Sequence, residues 1–101
     1  MEITINKNDS KMEVAVSGRL DTITSQEFSE KLFDNLSGVD ELVLDFSSLR
    51  YLSSSGLRVI LSCQKKINSV KGTMVVKNVN DLIMEIFDAT GFSDILTIEN
   101  D

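Results

Sequence analysis

A chain of 101 residues, 42% hydrophobic and 26% charged, suits one soluble globular domain and leaves no room for a second core. It has no histidine and a single cysteine, which removes imidazole catalysis, the usual triads, an internal disulfide and cysteine zinc sites, and points to a reducing, cytoplasmic setting. Ten Lys and Arg against 16 Asp and Glu give a net charge of −6, which argues against nucleic acid or an anionic membrane as the principal partner.

In chain order, Ile3 and Ile5, then Met12, Val14 and Val16, alternate with polar neighbours at a period of two. Two strands joined by the polar turn Asn8-Asp9-Ser10 predict an N-terminal antiparallel hairpin. Glu2, Lys7, Asp9, Lys11 and Glu13 break up any leader-like apolar run. No later window holds the roughly 18–20 apolar residues that a membrane span needs, so membrane insertion is not expected.

Beyond Gly18, Thr24 or Ser25 can cap a helix carrying Phe28, Leu32, Phe33 and Leu36, with Gly38 as its stop. Leu42, Val43, Leu44 and Phe46 form a short apolar run, which predicts a strand buried on both faces. Ser47 to Ser55 reads as a serine-rich connection. A second helix follows, with Leu57, Ile60, Leu61 and Ile67 as its stripe, widened by Val59 and Cys63. Thr73 to Lys77 predicts a strand entered through Lys71-Gly72. Val79, Leu82, Ile83, Ile86 and Phe87 predict a third helix closed by Gly91, and Ile95 to Ile98 a last strand.

Strand-helix-strand alternation with short links predicts an α/β domain: a mixed, mostly parallel sheet of about five strands with three main helices. In such a sheet, chemistry belongs to loops at the carboxyl ends of strands, where helix N-termini present unpaired amides. Two loops qualify, Gly18 to Thr24 with Asp21, and Ser47 to Ser55. Serines before a helix are ordinary caps, and without a histidine none has an evident base, so serine hydrolysis is discounted. Phosphorylation suits the second loop better, because helix-N-terminal amides accept a dianion without unwinding the helix.

Lys65 and Lys66 sit near the end of the second helix, where cations complement its dipole. Cys63 reads as packing. Asp21 with Asp45 could suggest a magnesium pair, but no phosphate-cradling glycine loop accompanies them, and neither a metal nor a cofactor is expected. Met84 is either incidental or part of an apolar contact surface. Residues 54–78 hold Arg58, Lys65, Lys66, Lys71 and Lys77 and no acid, a local basic stretch in an acidic chain.

The run Val43-Leu44-Asp45-Phe46-Ser47-Ser48-Leu49-Arg50-Tyr51-Leu52-Ser53-Ser54-Ser55-Gly56-Leu57-Arg58-Val59 resembles the signature of STAS domains, above all the bacterial anti-sigma factor antagonists. Gly18-Arg19-Leu20-Asp21, Gly72-Thr73-Met74-Val75-Val76 and Ile86-Phe87-Asp88-Ala89-Thr90-Gly91-Phe92 extend the likeness over residues 1–101 as a single domain. The resemblance implies a partner-switching protein with no catalysis of its own. Its unphosphorylated form would bind an anti-sigma factor serine kinase and release the sigma factor, phosphorylation would end the interaction, and a PP2C-type phosphatase would reset it.

By position in the motif, the implied phosphoacceptor is Ser54, with Ser55 as substitute. Asp21, Thr22, Ser53, Gly56, Leu57 and Arg58 would border it in the partner-binding surface. Many antagonists carry Asp immediately before the acceptor, where this chain has Ser53. A phosphate on Ser54 would lie four residues from Arg58, close enough to pair on one helical face. Two other readings compete: an adaptor or scaffold subunit of a lipid-transport or stress-signalling assembly with no phosphorylation cycle, and a small nucleotide-binding enzyme.

Overall fold

The computed structural model describes residues 1–100. Strands β1 (Glu2–Asn8) and β2 (Lys11–Leu20) form the hairpin, with Asp9 in the left-handed region at its turn (φ 55°). Helix α1 (Thr22–Asn35), strand β3 (Glu41–Leu52), helix α2 (Ser54–Ser69), strand β4 (Thr73–Lys77), helix α3 (Asp81–Thr90) and strand β5 (Thr97–Glu99) follow, with a 3-10 turn at Phe92–Asp94. The five strands lie in the order β1-β2-β3-β4-β5, antiparallel at the hairpin and parallel elsewhere.

That order explains where the core sits. When parallel strands advance in one direction across a sheet, right-handed crossovers put every connecting helix on the same face. Met12, Leu42 and Met74 lie side by side across three strands, as do Val14, Leu44 and Val76, and all six are at most 2% exposed. Phe28 and Leu32 of α1, Ile60 and Ile67 of α2, and Ile83 and Phe87 of α3 share that core and are fully buried.

On the opposite face Glu13, Asp45 and Lys77 remain at least partly exposed. The strand predicted from Leu42 to Phe46 is therefore buried on one face only, with Val43 and Asp45 half-buried between its core positions. Its apolar run is continuous because Val43 sits on the open face, where a β-branched residue still packs against the pleat.

Several other expectations are corrected. The presumed connection from Ser47 to Ser55 is mostly strand: β3 runs on to Leu52 alongside an equally extended β2, as far as the pair Leu20 and Leu52. Register shifts between Ala15 and Ser17 and between Gly18 and Arg19 accommodate the polar stretch. Leu61 is only partly buried, and Gln64 (8% exposed) completes the inner face of α2 instead. Phe33 and Leu82 are also exposed, and Ile95 (50% exposed) precedes the final strand, which begins at Thr97. Gly72 is required by space: a β-carbon there would lie 2.2 Å from the Asp40 carbonyl oxygen.

Candidate functional site

The two parallel strands β2 and β3 end level with each other, and each hands over to a helix through one residue. After Leu20 comes Asp21, then α1; after Leu52 comes Ser53, then α2. The Ser53 N–H donates to the Leu20 carbonyl at 2.8 Å, which ties the second junction to the end of the first strand. Two helix N-termini therefore stand side by side.

Asp21, not Thr24 or Ser25, caps α1. Its Oδ1 accepts from the Ile23 N–H (3.0 Å) and the Thr24 N–H (2.9 Å), while the Asp21 N–H donates to Thr24 Oγ1 (2.9 Å), a reciprocal capping box. The Thr24 hydroxyl lies 2.6 Å from the Arg19 carbonyl and 3.0 Å from Asp21 Oδ1, and its one proton serves either acceptor. The bonds from the backbone and then the hydroxyl of Thr24 hold the Asp21 carboxyl below its ordinary pKa.

At the second junction the serines divide the work. Ser53 is the cap: its Oγ accepts from the Gly56 N–H at 3.2 Å, and its carbonyl accepts from the Leu57 N–H at 3.0 Å. Ser54, the first residue of α2, is exposed, and Ser55 is half-buried. The Ser54 and Ser55 amides have no partner among the described residues, as expected of a helix first turn. Gly56 lets α2 settle on the strand ends, since a β-carbon there would lie 2.6 Å from Leu52 Cδ1 and 3.2 Å from Leu20 Cβ.

Of the remaining residues singled out, Thr22 and Arg58 are exposed and Leu57 is buried at 8% exposure. Thr22, Ser55 and Arg58 meet in a shallow groove of about 270 Å³ between the starts of α1 and α2. Its other walls, Ser25, Gln26, Ser29 and Val59, were not anticipated. The signal available was the run of hydroxyls at 22, 25 and 29, which falls on one face of α1. Ile23, 82% exposed in the first turn of α1, was also missed, as was Arg19, whose guanidinium stacks over Tyr51 at 4.3 Å.

Asp45 is not brought to the site. It pairs with Ala15, roughly 15–20 Å of strand before Asp21, and accepts from the Ser47 N–H, which with Asn78 holds its carboxyl low. Among the described residues no cluster of metal-ligating side chains occurs. Cys63 is buried, and burial pushes its thiol pKa up to about 12.

Fold and site together define a small one-faced α/β domain that presents paired, hydroxyl-rich helix starts to solvent. The chain belongs to the STAS domain family, whose family model matches residues 2–101. BtrV of Bordetella bronchiseptica, provisionally named an anti-sigma factor antagonist, is 29% identical over 99% of this chain and 87% of its own length. The anti-sigma-B factor antagonist of Bacillus subtilis is 24% identical over 97% of this chain and 90% of its own.

The fold is shared with the anti-sigma factor antagonist SpoIIAA. Its unphosphorylated form superposes with a TM-score of 0.84 at 16% identity, covering 96% of this chain and 87% of SpoIIAA. Its phosphorylated form, from Bacillus, gives 0.77 at 16% identity, covering 96% and 90%. No helix among the described residues is long and apolar enough to cross a membrane.

Proposed function

We propose that this chain is a cytoplasmic anti-sigma factor antagonist, without catalysis of its own, that is switched by phosphorylation of Ser54. The unmodified form binds an anti-sigma factor that is also a serine kinase, and so frees the sigma factor. The kinase moves the γ-phosphoryl group of ATP to Ser54 Oγ, releasing ADP and the hydroxyl proton. A PP2C-type phosphatase hydrolyses the ester.

The observation that carries this reading is the division of labour among the serines. Ser53 does the capping, so the exposed Ser54 hydroxyl has no structural duty and can be modified without cost to the helix. The free amides of the first turn favour a dianion there. The names of the curated relatives point to the same partner class. The sheet order supports a binding role over a nucleotide-binding enzyme, because strands laid down in one direction form no switch-point crevice.

The purified chain, incubated with the anti-sigma kinase of its own organism and Mg-ATP, should gain one phosphate by mass spectrometry. Ser54→Ala should abolish the gain and Ser55→Ala should leave it. Stoichiometric labelling of Ser54→Ala would move the acceptor elsewhere. Ser54→Asp should weaken kinase binding about tenfold or more with little change in melting temperature, since an acid is tolerated in a first helical turn.

A further inference from the structure

We propose that the exposed ridge of α2 is a docking surface for an acidic face of the partner protein, and that the groove at its start seats one partner carboxylate against Arg58. The inference rests on the partner-binding role proposed above and specifies the partner's chemistry.

Ser54, Arg58, Ser62, Lys65 and Lys66 are all exposed and fall on one side of α2. Residues 54–78 contain no Asp or Glu, although the whole chain has 16. Lys11 and Lys31 are drawn to Glu13 and Glu27, each at 3.6 Å, whereas Arg58, Lys65 and Lys66 make no ion pair among the described residues. Elsewhere the exposed helical surface is acidic, with Glu27, Glu30 and Asp34 on α1 and Asp81, Glu85 and Asp88 on α3. A single positive ridge thus stands out on a molecule of net charge −6.

The helix dipole accounts for only half of it. Lys66 lies in the last turn, where a cation is favoured, but Arg58 lies near the positive N-terminus, where it is not. The groove beside it is lined by Thr22, Ser25, Gln26, Ser29 and Ser55 and by no carboxylate. Ser25, 2% exposed, lines that groove and has a buried hydroxyl without any hydrogen-bond partner, the one such side-chain atom among the described residues. The N-terminus of α2, capped by the neutral Ser53, adds partial positive charge, whereas that of α1 is offset by its Asp21 cap. Hydroxyl donors, an unpaired guanidinium and one dipole end complement a carboxylate.

The occupant is a protein surface rather than a nucleic acid or an anionic membrane. A ridge about 18 Å long matches one partner helix or strand, whereas an extended polyanion would also face the acidic flanks. The same arrangement explains the direction of the switch. A phosphate on Ser54, one helical turn from Arg58, competes for that cation and repels the incoming carboxylate.

The test measures the dissociation constant of the unphosphorylated chain with the purified anti-sigma factor of its own organism, between about 0.05 M and about 0.5 M salt. Affinity should fall about tenfold or more across that range. Arg58→Glu, and separately Lys65→Glu with Lys66→Glu, should each weaken binding about tenfold or more and flatten the salt dependence. Lys11→Glu with Lys31→Glu makes the same charge change as the lysine pair away from the ridge and should alter affinity by less than about twofold. Thermal melts establish that each variant is folded.

If the ridge variants bind within about twofold of the parent while Ser54→Asp still releases the partner, the ridge assignment is wrong and the switch stands. If Ser54→Asp also binds unchanged, both fail. Ridge-dependent binding to duplex DNA or to phosphatidylserine vesicles would overturn the choice of a protein occupant.

Discussion

Ser53 and Ser54 are neighbours of the same type with opposite duties, one turned back to the backbone and one out to solvent. Ser53→Ala should therefore destabilise the fold by about 1 kcal/mol, the usual worth of an N-cap, while Ser54→Ala should leave the melting temperature unchanged. Gly56→Ala should cost about 1–3 kcal/mol, because its methyl group would press on both Leu52 and Leu20. Urea titrations of the three variants, with a thermal melt of Ser54→Ala, measure this. The sequence displays the serines but not their assignment: three in a row are equivalent caps until the strand before them has a fixed end. Ser25 was hidden for a similar reason, since a lone serine beside Phe28 reads as another cap candidate until α2 packs over it.

Strand β3 and helix α1 show where periodicity succeeds and where it stops. The apolar spacing located every helix and strand, because each buries a stripe or a face. It placed the end of β3 too early because Ser47 and Ser48 are exposed and polar and the register with β2 shifts there, so that the buried residues beyond them, Leu49 and Leu52, fall out of the alternation of two. The start of α1 depends on Asp21, which the same reading assigned to a loop. Its carboxyl is held below the ordinary 3.8, so the capping interaction contributes stability at neutral pH that is lost as pH falls through the folded value. Asp45 acts in the same direction. Melting temperatures followed from about pH 7 to about pH 2.5 should drop in the acid limb, and Asp21→Asn, which still caps, should make that drop shallower.

Across the whole molecule, helices on one face leave the other face of the sheet open, and the two edge strands are unequal. The centre is the first part of β3, paired on both sides from Glu41 to Asp45 and with β2 alone beyond that, whereas β5 contributes three residues at the far edge. Amide hydrogen exchange followed by mass spectrometry should be slowest in the first half of β3 and the stretch of β2 beside it, and fastest in β5. Uniform protection across all five strands would contradict that gradient. Fold class was legible at this scale because strand-helix alternation admits few topologies. One-sided burial was not, because it follows from strand order, which no local pattern records.

The single-residue junctions after Leu20 and Leu52 leave no slack between sheet and helix. A group added at position 54 has no hinge to bend and no lid to lift. Spectra recorded before and after modification should differ only around the graft itself. Under the proposed switch, departure of a bound protein would wait on nothing but its own escape, so the regulatory event would be as quick as the contact is weak.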